Sequence, residues 1–435
     1  MKKILTYLLF AQLIFLSCKK SEVEPIFEES ANKRVTTLLD SYKKQLVGSE
    51  FGWRGVYYPN GGNDGGYTFY LKFDAAGKVT MYSDIDGFAY FPNGYEKSLE
   101  TTYQVKAQQK PTLVFDSYSY LTELVNPDYN GGPGQSADLE LAFDTVTPDK
   151  ITLVGNINKT QMILTKMTKV ESDILAKGGL ANIFKSTFNY VNGGSFLSLV
   201  LPTGEKSDVS VNFETKIFAI FYIQNNQVRT VSSAFSVTTT GIQLRESITL
   251  FGVKFNELIW DDVLKLYYIN ADGKRINFTQ SNKPSVPFDL AIGNLFSFID
   301  FNPTIPGQNA TYKTVYSQLA TNIPTLPFRL TLESIFFSFN TTTGQYDLFI
   351  IVVQNGNRFA AIINYRMNKI TAQNRTFTRT GINGNANLLL TSIKPLIDIL
   401  ERDTFTFDYD PTDGQYALLK SLTTPTFAMK GKLEK

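Results

Sequence analysis

The pattern of apolar and polar positions predicts a protein built mainly from short β-strands. Apolar residues first recur at helical spacing over residues 35–46, and Gly48 then supplies a helix stop signal. Beyond this helix, eight short runs rich in aromatic and β-branched residues follow one another between residues 53 and 166. Their regular spacing predicts an antiparallel meander or a small closed barrel.

The same pattern continues to the C-terminus after a predicted connector helix at residues 168–187. Strand-like runs fill most of residues 188–435. Four prolines fall between residues 281 and 309, so we place a candidate seam between two subdomains there. We therefore predict a mainly β (α+β) fold. It has a lipocalin-like antiparallel barrel or sheet at the N-terminus and a larger antiparallel β-rich part with a few docking helices.

The first residues resemble the signal sequence of a bacterial lipoprotein. Lys2 and Lys3 precede an apolar run over residues 4–16, which is too short to span a bilayer as a helix. Cys18, the single cysteine of the chain, follows the small residue Ser17 in a lipobox-like context. We expect cleavage before Cys18 and acylation of this residue, so that the lipid anchors the protein to a membrane.

The polar stretch behind Cys18 predicts a flexible tether over residues 18–30. Its acidic residues are similar to the surface-export signal of Bacteroidetes lipoproteins, and a solvated spacer is the alternative interpretation. The predicted organisation is a lipoprotein signal peptide at 1–17, this tether, a helix plus antiparallel β domain at 31–167, the connector at 168–187 and a β-rich domain at 188–435.

Composition narrows the chemistry that the chain can perform. The formal net charge is +2, without a basic cluster beyond the signal, which argues against a nucleic-acid partner. One cysteine allows no internal disulfide. The sequence contains no histidine, which removes Ser-His-Asp catalysis and zinc sites built on histidine. We predict no cofactor and a protein that is not an enzyme, with a carboxylate-only glycosidase as the weaker alternative.

Two sets of residues are candidates for a site. Tyrosines near glycine-rich loops are candidates for a sugar-stacking rim: Tyr57, Tyr58, Tyr67 and Tyr90. Trp53 is expected in the core rather than in a pocket, because large aromatic side chains usually bury their area. Asp408, Asp410 and Asp413 place three carboxylates in one turn, which is a weak candidate for Ca²⁺. Ordinary hairpin chemistry is the alternative interpretation of this turn.

Short motifs along the chain resemble the DUF4302 family of Bacteroidetes lipoproteins. The resemblance begins with the helix and first strand and continues in three segments: GKVTMYSD (77–84), PTLVFDSY (111–118) and DKITLVG (149–155). Residues 240–244 and 260–261 match more loosely. The resemblance implies a cell-surface lipoprotein of unknown function and no catalytic residues.

Together these features predict a lipid-anchored outer-membrane protein, displayed on the cell surface, that binds an unknown ligand and serves nutrient capture without catalysis. A structural or assembly partner of another envelope protein is the alternative function. The expected partners are the membrane, reached through the lipid, and an outer-membrane transport or envelope protein.

Overall fold

The structure is a computed structural model that describes residues 29–63, 65–86, 93–127, 134–193, 196–340, 344–371 and 373–434. Within these residues the strands form three closed antiparallel barrels of eight strands each. In each barrel the first strand pairs with the last. The predicted antiparallel, mainly β fold with few helices is therefore confirmed, and the N-terminal sheet is a barrel.

Barrel 1 has an interior filled with apolar side chains. Its strands are β1 (Trp53–Tyr58), β2 (Tyr67–Phe73), β3 (Lys78–Ser83), β4 (Leu99–Ala107), β5 (Pro111–Phe115), β6 (Glu140–Val146), β7 (Lys150–Gly155) and β8 (Gln161–Lys166). Helix α1 (Ala31–Val47) packs on the barrel, where Tyr42 stacks on Phe143 with ring centroids 4.5 Å apart. Trp53 is fully buried, and its Nε1 donates to the carbonyl of Leu46 at 2.8 Å. Trp53 is thus a core residue, as predicted.

A short helix, α2 (Tyr120–Glu123), follows β5.

The strands owe their positions to a period-two pattern of burial. In β3, Val79 and Met81 point into the barrel, whereas Lys78 and Thr80 are exposed. A one-residue shift of register would place the charged side chain of Lys78 and the polar side chain of Thr80 in the core. The alternation therefore determines which face of the strand lines the interior.

Barrel 2 follows two helices, α3 (Lys169–Ala176) and α4 (Gly179–Asn192). Its strands are β9 (Phe196–Val200), β10 (Lys206–Asn212), β11 (Ile217–Gln224), β12 (Gln227–Val237), β13 (Gly241–Leu250), β14 (Val253–Asp261), β15 (Leu266–Ala271) and β16 (Lys274–Ser281). Gly178, with a φ of 77°, allows the chain to turn between the two helices. Leu180 and Phe184 of α4 are buried in the core of barrel 2.

Barrel 3 begins inside the proline-rich stretch at 281–309. Its strands are β17 (Phe298–Asp300), β18 (Thr331–Asn340), β19 (Gln345–Gln354), β20 (Asn357–Lys369), β21 (Asn374–Ile382), β22 (Phe405–Tyr409), β23 (Tyr416–Ser421) and β24 (Ala428–Glu434). Its helices are α5 (Phe288–Ala291), α6 (Ala310–Asn322) and α7 (Gly384–Arg402). One face of α7, including Leu389, Ile393 and Leu396, is buried in the barrel core. None of the helices in the described residues is long and apolar enough to cross a membrane.

A buried ion pair joins barrels 1 and 2. Lys216 Nζ lies 2.8 Å from Asp84 Oδ2, and the two side chains are 5% and 0% exposed. The same carboxylate accepts hydrogen bonds from the backbone N–H groups of Thr68 and Val237, each at 2.7 Å. Because Thr68 belongs to β2 and Val237 to β12, one carboxylate connects strands of both barrels.

Replacing Lys216 by methionine is expected to destabilise the protein strongly, because Asp84 would keep a buried negative charge without its partner. Removing one member of a buried pair costs about 3–5 kcal/mol, so the urea concentration at half-unfolding should fall. Lys265→Met is the matched control, since Lys265 pairs with Asp262 at the surface, where the side chains are 65% and 79% exposed. Surface pairs contribute about 0–1 kcal/mol. Equal urea midpoints for Lys216→Met and Lys265→Met would contradict a stabilising role for the buried pair.

Candidate binding cleft

Tyr57, a predicted ligand-binding residue, lies inside barrel 1. Its hydroxyl accepts a hydrogen bond from the backbone N–H of Asp138 at 2.6 Å and donates to Thr160 Oγ1 at 3.0 Å. Burial raises the pKa of Tyr57 well above its ordinary value. Tyr57 therefore links the segments that carry Asp138 and Thr160. Its side chain is fully buried, so a ligand cannot contact it.

Tyr58 and Tyr67 are buried at the joint between barrels 1 and 2. The guanidinium of Arg245 lies 5.2 Å from the ring centroid of Tyr58, and Lys216 Nζ lies 5.2 Å from that of Tyr67. The neighbouring Gly65 has a φ of +81°, and a Cβ there would lie 2.2 Å from the Cβ of Lys216. The glycine-rich loop thus packs tightly against barrel 2, and these tyrosines do not form the exposed rim expected from the sequence. Two further predicted residues, Cys18 and Tyr90, lie outside the described residues.

The three candidate calcium ligands do not converge on one point. Asp410 pairs with Lys430 at 3.0 Å and accepts hydrogen bonds from Thr412. Although burial opposes it, these contacts lower the pKa of Asp410. Asp413 caps its own turn by accepting from the N–H of Gln415, and Asp408 accepts from the N–H of the next residue. In the described part of the chain, no group of three or more Asp, Glu, Cys or His side chains is placed to hold a metal ion.

A cleft of about 420 Å³ lies on the seam between barrels 2 and 3. Its walls come from the β11–β12 hairpin, from residues 282–297, which link β16 to β17 and are here called the connector between barrels 2 and 3, and from the facing ends of β18 and β19. Five carboxamide side chains line it: Asn226, Gln227, Asn294, Asn340 and Gln345. The other described lining residues are Val228, Leu290, Ile292, Phe339, Gly344 and Tyr346. Among the described residues that line the cleft, none carries a formal charge at neutral pH.

The turn between β11 and β12 presents two of these carboxamides. Asn225 and Asn226 have φ values of 53° and 58°, the left-handed conformation that two-residue hairpin turns of type I′ require. Asparagine tolerates this conformation better than most residues. Gln224 and Gln227 form the last pair of the hairpin, so Asn226 and Gln227 lie at its tip.

The connector that forms the second wall is fixed by Asp208 of β10. Its carboxylate accepts hydrogen bonds from Ser285, through the N–H at 2.7 Å and the hydroxyl at 2.5 Å, and from the N–H of Val286 at 2.8 Å. From the other side, the hydroxyl of Tyr409 in barrel 3 donates to the carbonyl of Val286 at 3.0 Å. Both barrels therefore hold the segment that carries Asn294 into the cleft.

Aromatic rings form the third wall. Phe339 and Tyr346 make an edge-to-face contact with ring centroids 4.9 Å apart. Burial, with a smaller contribution from Asp289, raises the pKa of Tyr346 to about 12 against the opposing effect of Arg375. Tyr346 therefore stays neutral at physiological pH and can act as a hydrogen-bond donor or a stacking surface.

The sequence alone did not predict this cleft. The carboxamides come from three segments that are distant along the chain, and only the seam brings them together. The local signal was a concentration of Asn and Gln at hairpin tips, in QNNQ at 224–227 and around Asn340. Such residues are also ordinary turn formers, so the signal is ambiguous without the tertiary structure.

Comparison with protein families gives a match over residues 23–262 to DUF4302, described as a domain of unknown function. The match covers more than half of the chain. The chain belongs to this family. The matched region of this DUF4302 protein contains barrel 1 and the strands of barrel 2 as far as β14, and barrel 3 lies beyond it.

Two solved structures show a low similarity to the DUF4302 protein. The isotype 1 transferrin binding protein B from serogroup B Neisseria meningitidis aligns over 88% of this chain and 73% of its own, with 9% identity and a TM-score of 0.13. A mutant transferrin binding protein B from Haemophilus parasuis Hp5 aligns over 85% and 65%, with 8% identity and a TM-score of 0.12. Similarity this low supports no conclusion about function. Among curated proteins, no sequence matches.

Replacing Asp208 by alanine is expected to loosen the connector, because the N–H groups of Ser285 and Val286 lose their acceptor. Amide hydrogen exchange at these two positions should accelerate, whereas exchange in barrel 1 should be unchanged. Glu205→Ala is the control, since Glu205 is an exposed carboxylate just before the same strand. Unchanged exchange at Ser285 and Val286 in the Asp208 variant would contradict this role.

Proposed function

We propose that this DUF4302 protein is a non-catalytic binding lipoprotein of the outer membrane that captures an extracellular nutrient. In this proposal a lipid on Cys18 holds the protein at the cell surface, and the cleft between barrels 2 and 3 takes the ligand. The observation that carries the proposal is the lining of this cleft, where five carboxamides and two aromatic rings surround a space of about 420 Å³. Small-molecule sites usually have volumes of about 300–1,000 Å³ and a few polar groups among apolar ones.

The lining also supports a role without catalysis. General acid–base chemistry needs a titratable side chain that exchanges protons near the working pH. The titratable group among the described lining residues is Tyr346, whose pKa of about 12 keeps it protonated. A glycosidase of the carboxylate-only type needs two acids facing its substrate, and the described lining contains no carboxylate. The cleft therefore favours binding over hydrolysis.

An assembly partner in the envelope remains the second candidate function. The observation that favours it is a group of partly exposed apolar side chains at one end of barrel 3, where Phe328, Phe359 and Leu388 are 45%, 38% and 56% exposed. They surround a small groove of about 140 Å³. Exposed apolar groups of this kind suit contact with an outer-membrane transport or envelope protein.

Replacing Cys18 by serine is expected to abolish lipid attachment, because the acylated cysteine is the mature N-terminus in the proposed processing. When cells grow with a labelled fatty acid, the wild-type protein should become labelled and the variant should not. The variant should also be lost from the outer-membrane fraction. Ser17→Ala is the control, since it keeps a small residue before the cleavage point and should label normally. Labelling of the serine variant would contradict the proposed anchor.

Replacing Asn294 by tryptophan is expected to fill the cleft and abolish nutrient binding. Asn294 is exposed on the connector, so the larger side chain leaves the barrel cores intact. The measurement is a thermal-shift screen of a nutrient library, in which a ligand at about one hundred times its Kd stabilises the folded state by about 2.7 kcal/mol.

The matched control for this screen is Asn282→Trp, which adds the same bulk to an exposed position of the same connector outside the cleft. Ligand-induced shifts should persist in Asn282→Trp and disappear in Asn294→Trp. Equal shifts in both variants would place binding elsewhere. Absence of any ligand, with capture of an envelope protein retained, would favour the assembly partner.

A further inference from the structure

We propose that the ligand of the cleft is a neutral saccharide. This inference rests on the proposed function, since it names the chemical class of ligand for the same cleft. The lining combines uncharged hydrogen-bonding groups, two of them held in defined orientations, with an aromatic wall.

The carboxamides match the hydroxyl groups of a sugar. Each carboxamide offers two N–H donors and one acceptor oxygen, and each sugar hydroxyl both donates and accepts. Five such side chains reach one compact cleft from three different segments of the chain. A phosphorylated or carboxylated ligand would instead require a cationic side chain to offset its desolvation. The described lining residues include no cationic side chain, and Arg229, which donates to Gln227, is not one of them, so the site favours uncharged polyols.

Two of the carboxamides are held in defined orientations by their neighbours. The oxygen Oε1 of Gln227 accepts from Arg229 Nη2 at 2.8 Å, which fixes the orientation of the carboxamide and leaves Nε2 as a donor for a ligand. The amide Nδ2 of Asn294 donates to the carbonyl of Leu290 at 2.9 Å, which leaves Oδ1 as an acceptor. The cleft thus presents a donor on one wall and an acceptor on another before any ligand arrives. Orienting these groups in advance reduces the entropic cost of binding.

The aromatic wall provides the second requirement of sugar recognition, which is a surface for the C–H face of the ring. Phe339 and Tyr346 are partly exposed and hold each other in place through their edge-to-face contact at 4.9 Å. Aromatic rings combine a large apolar surface with the small number of rotatable bonds that makes such a surface rigid. The neutral Tyr346 hydroxyl adds one more hydrogen-bonding group.

The test is isothermal titration of the full-length mature protein with three sets of probes. The first set contains neutral disaccharides (cellobiose, maltose and lactose), the second contains disaccharides with a uronic acid, and the third is a tripeptide blocked at both ends. We expect a neutral disaccharide to bind and both other sets to bind at least tenfold more weakly. Tyr346→Ala and Gln345→Ala should each weaken binding at least tenfold.

Two controls separate ligand contacts from damage to the fold. Tyr346→Phe keeps the ring and should retain most of the affinity that Tyr346→Ala loses. Gln224→Ala removes an exposed carboxamide on the same hairpin as Gln227 but outside the lining, so it should bind like the wild type. Thermal melting of every variant shows whether the fold is retained.

The outcomes distinguish this inference from the proposed function on which it rests. Stronger binding of the acidic disaccharides or the blocked peptide, abolished by Asn294→Trp, would overturn a neutral saccharide as the ligand and leave the cleft as the binding site. Saccharide binding that is unaffected by Asn294→Trp and Gln345→Ala would overturn both, because the ligand would then occupy another surface.

Discussion

Closure of each sheet on itself is the constraint on which the rest of this structure depends. Trp53 of β1 pairs with Lys166 of β8, and in the third barrel Ile299 of β17 pairs with Leu433 of β24. Closing an eight-stranded sheet leaves an interior just wide enough for side chains. Trp53, Leu71 and Leu164 are among those that fill barrel 1. Because the interior is packed, the cleft identified here lies between barrels and not inside one.

The two seams between neighbouring barrels differ in their chemistry. The joint of barrels 1 and 2 is closed around Asp84 and Lys216, with aromatic rings above the ammonium group and glycines where backbone approaches closely. The seam of barrels 2 and 3 is held through Asp208, which binds backbone N–H groups of the connector. Apolar side chains of barrel 2, among them Phe221 and Val228, also pack against the core of barrel 3. The cleft lies beside these contacts, and Val228 belongs to its lining.

Much of the fold could be predicted from the sequence, because a strand's burial pattern is local. The predicted runs of barrel 1 correspond closely to its eight strands, and Trp53 lies in the core. Prediction failed where tertiary contacts override local signals. The three-residue strand β17 lies among prolines and exists through its pairing with β18 and β24. Pro395, a residue type that usually ends or kinks a helix, lies in the interior of α7, which begins at Gly384. Packing of the apolar face of α7 offsets the missing N–H.

The sequence by itself determined the mainly antiparallel β fold, the family resemblance and the limits that missing histidine and a single cysteine place on chemistry, whereas closure into three barrels came from the structure. These features follow from composition and from the local periodicity of apolar residues, neither of which depends on contacts between distant parts of the chain. Only the tertiary structure decided what the polar and aromatic residues do. It buried Tyr57, Tyr58 and Tyr67, and it assembled the carboxamide cleft from three separated segments. The physical reason is that the surroundings of a side chain depend on which barrel faces it, and that arrangement is set by contacts between residues far apart in the chain.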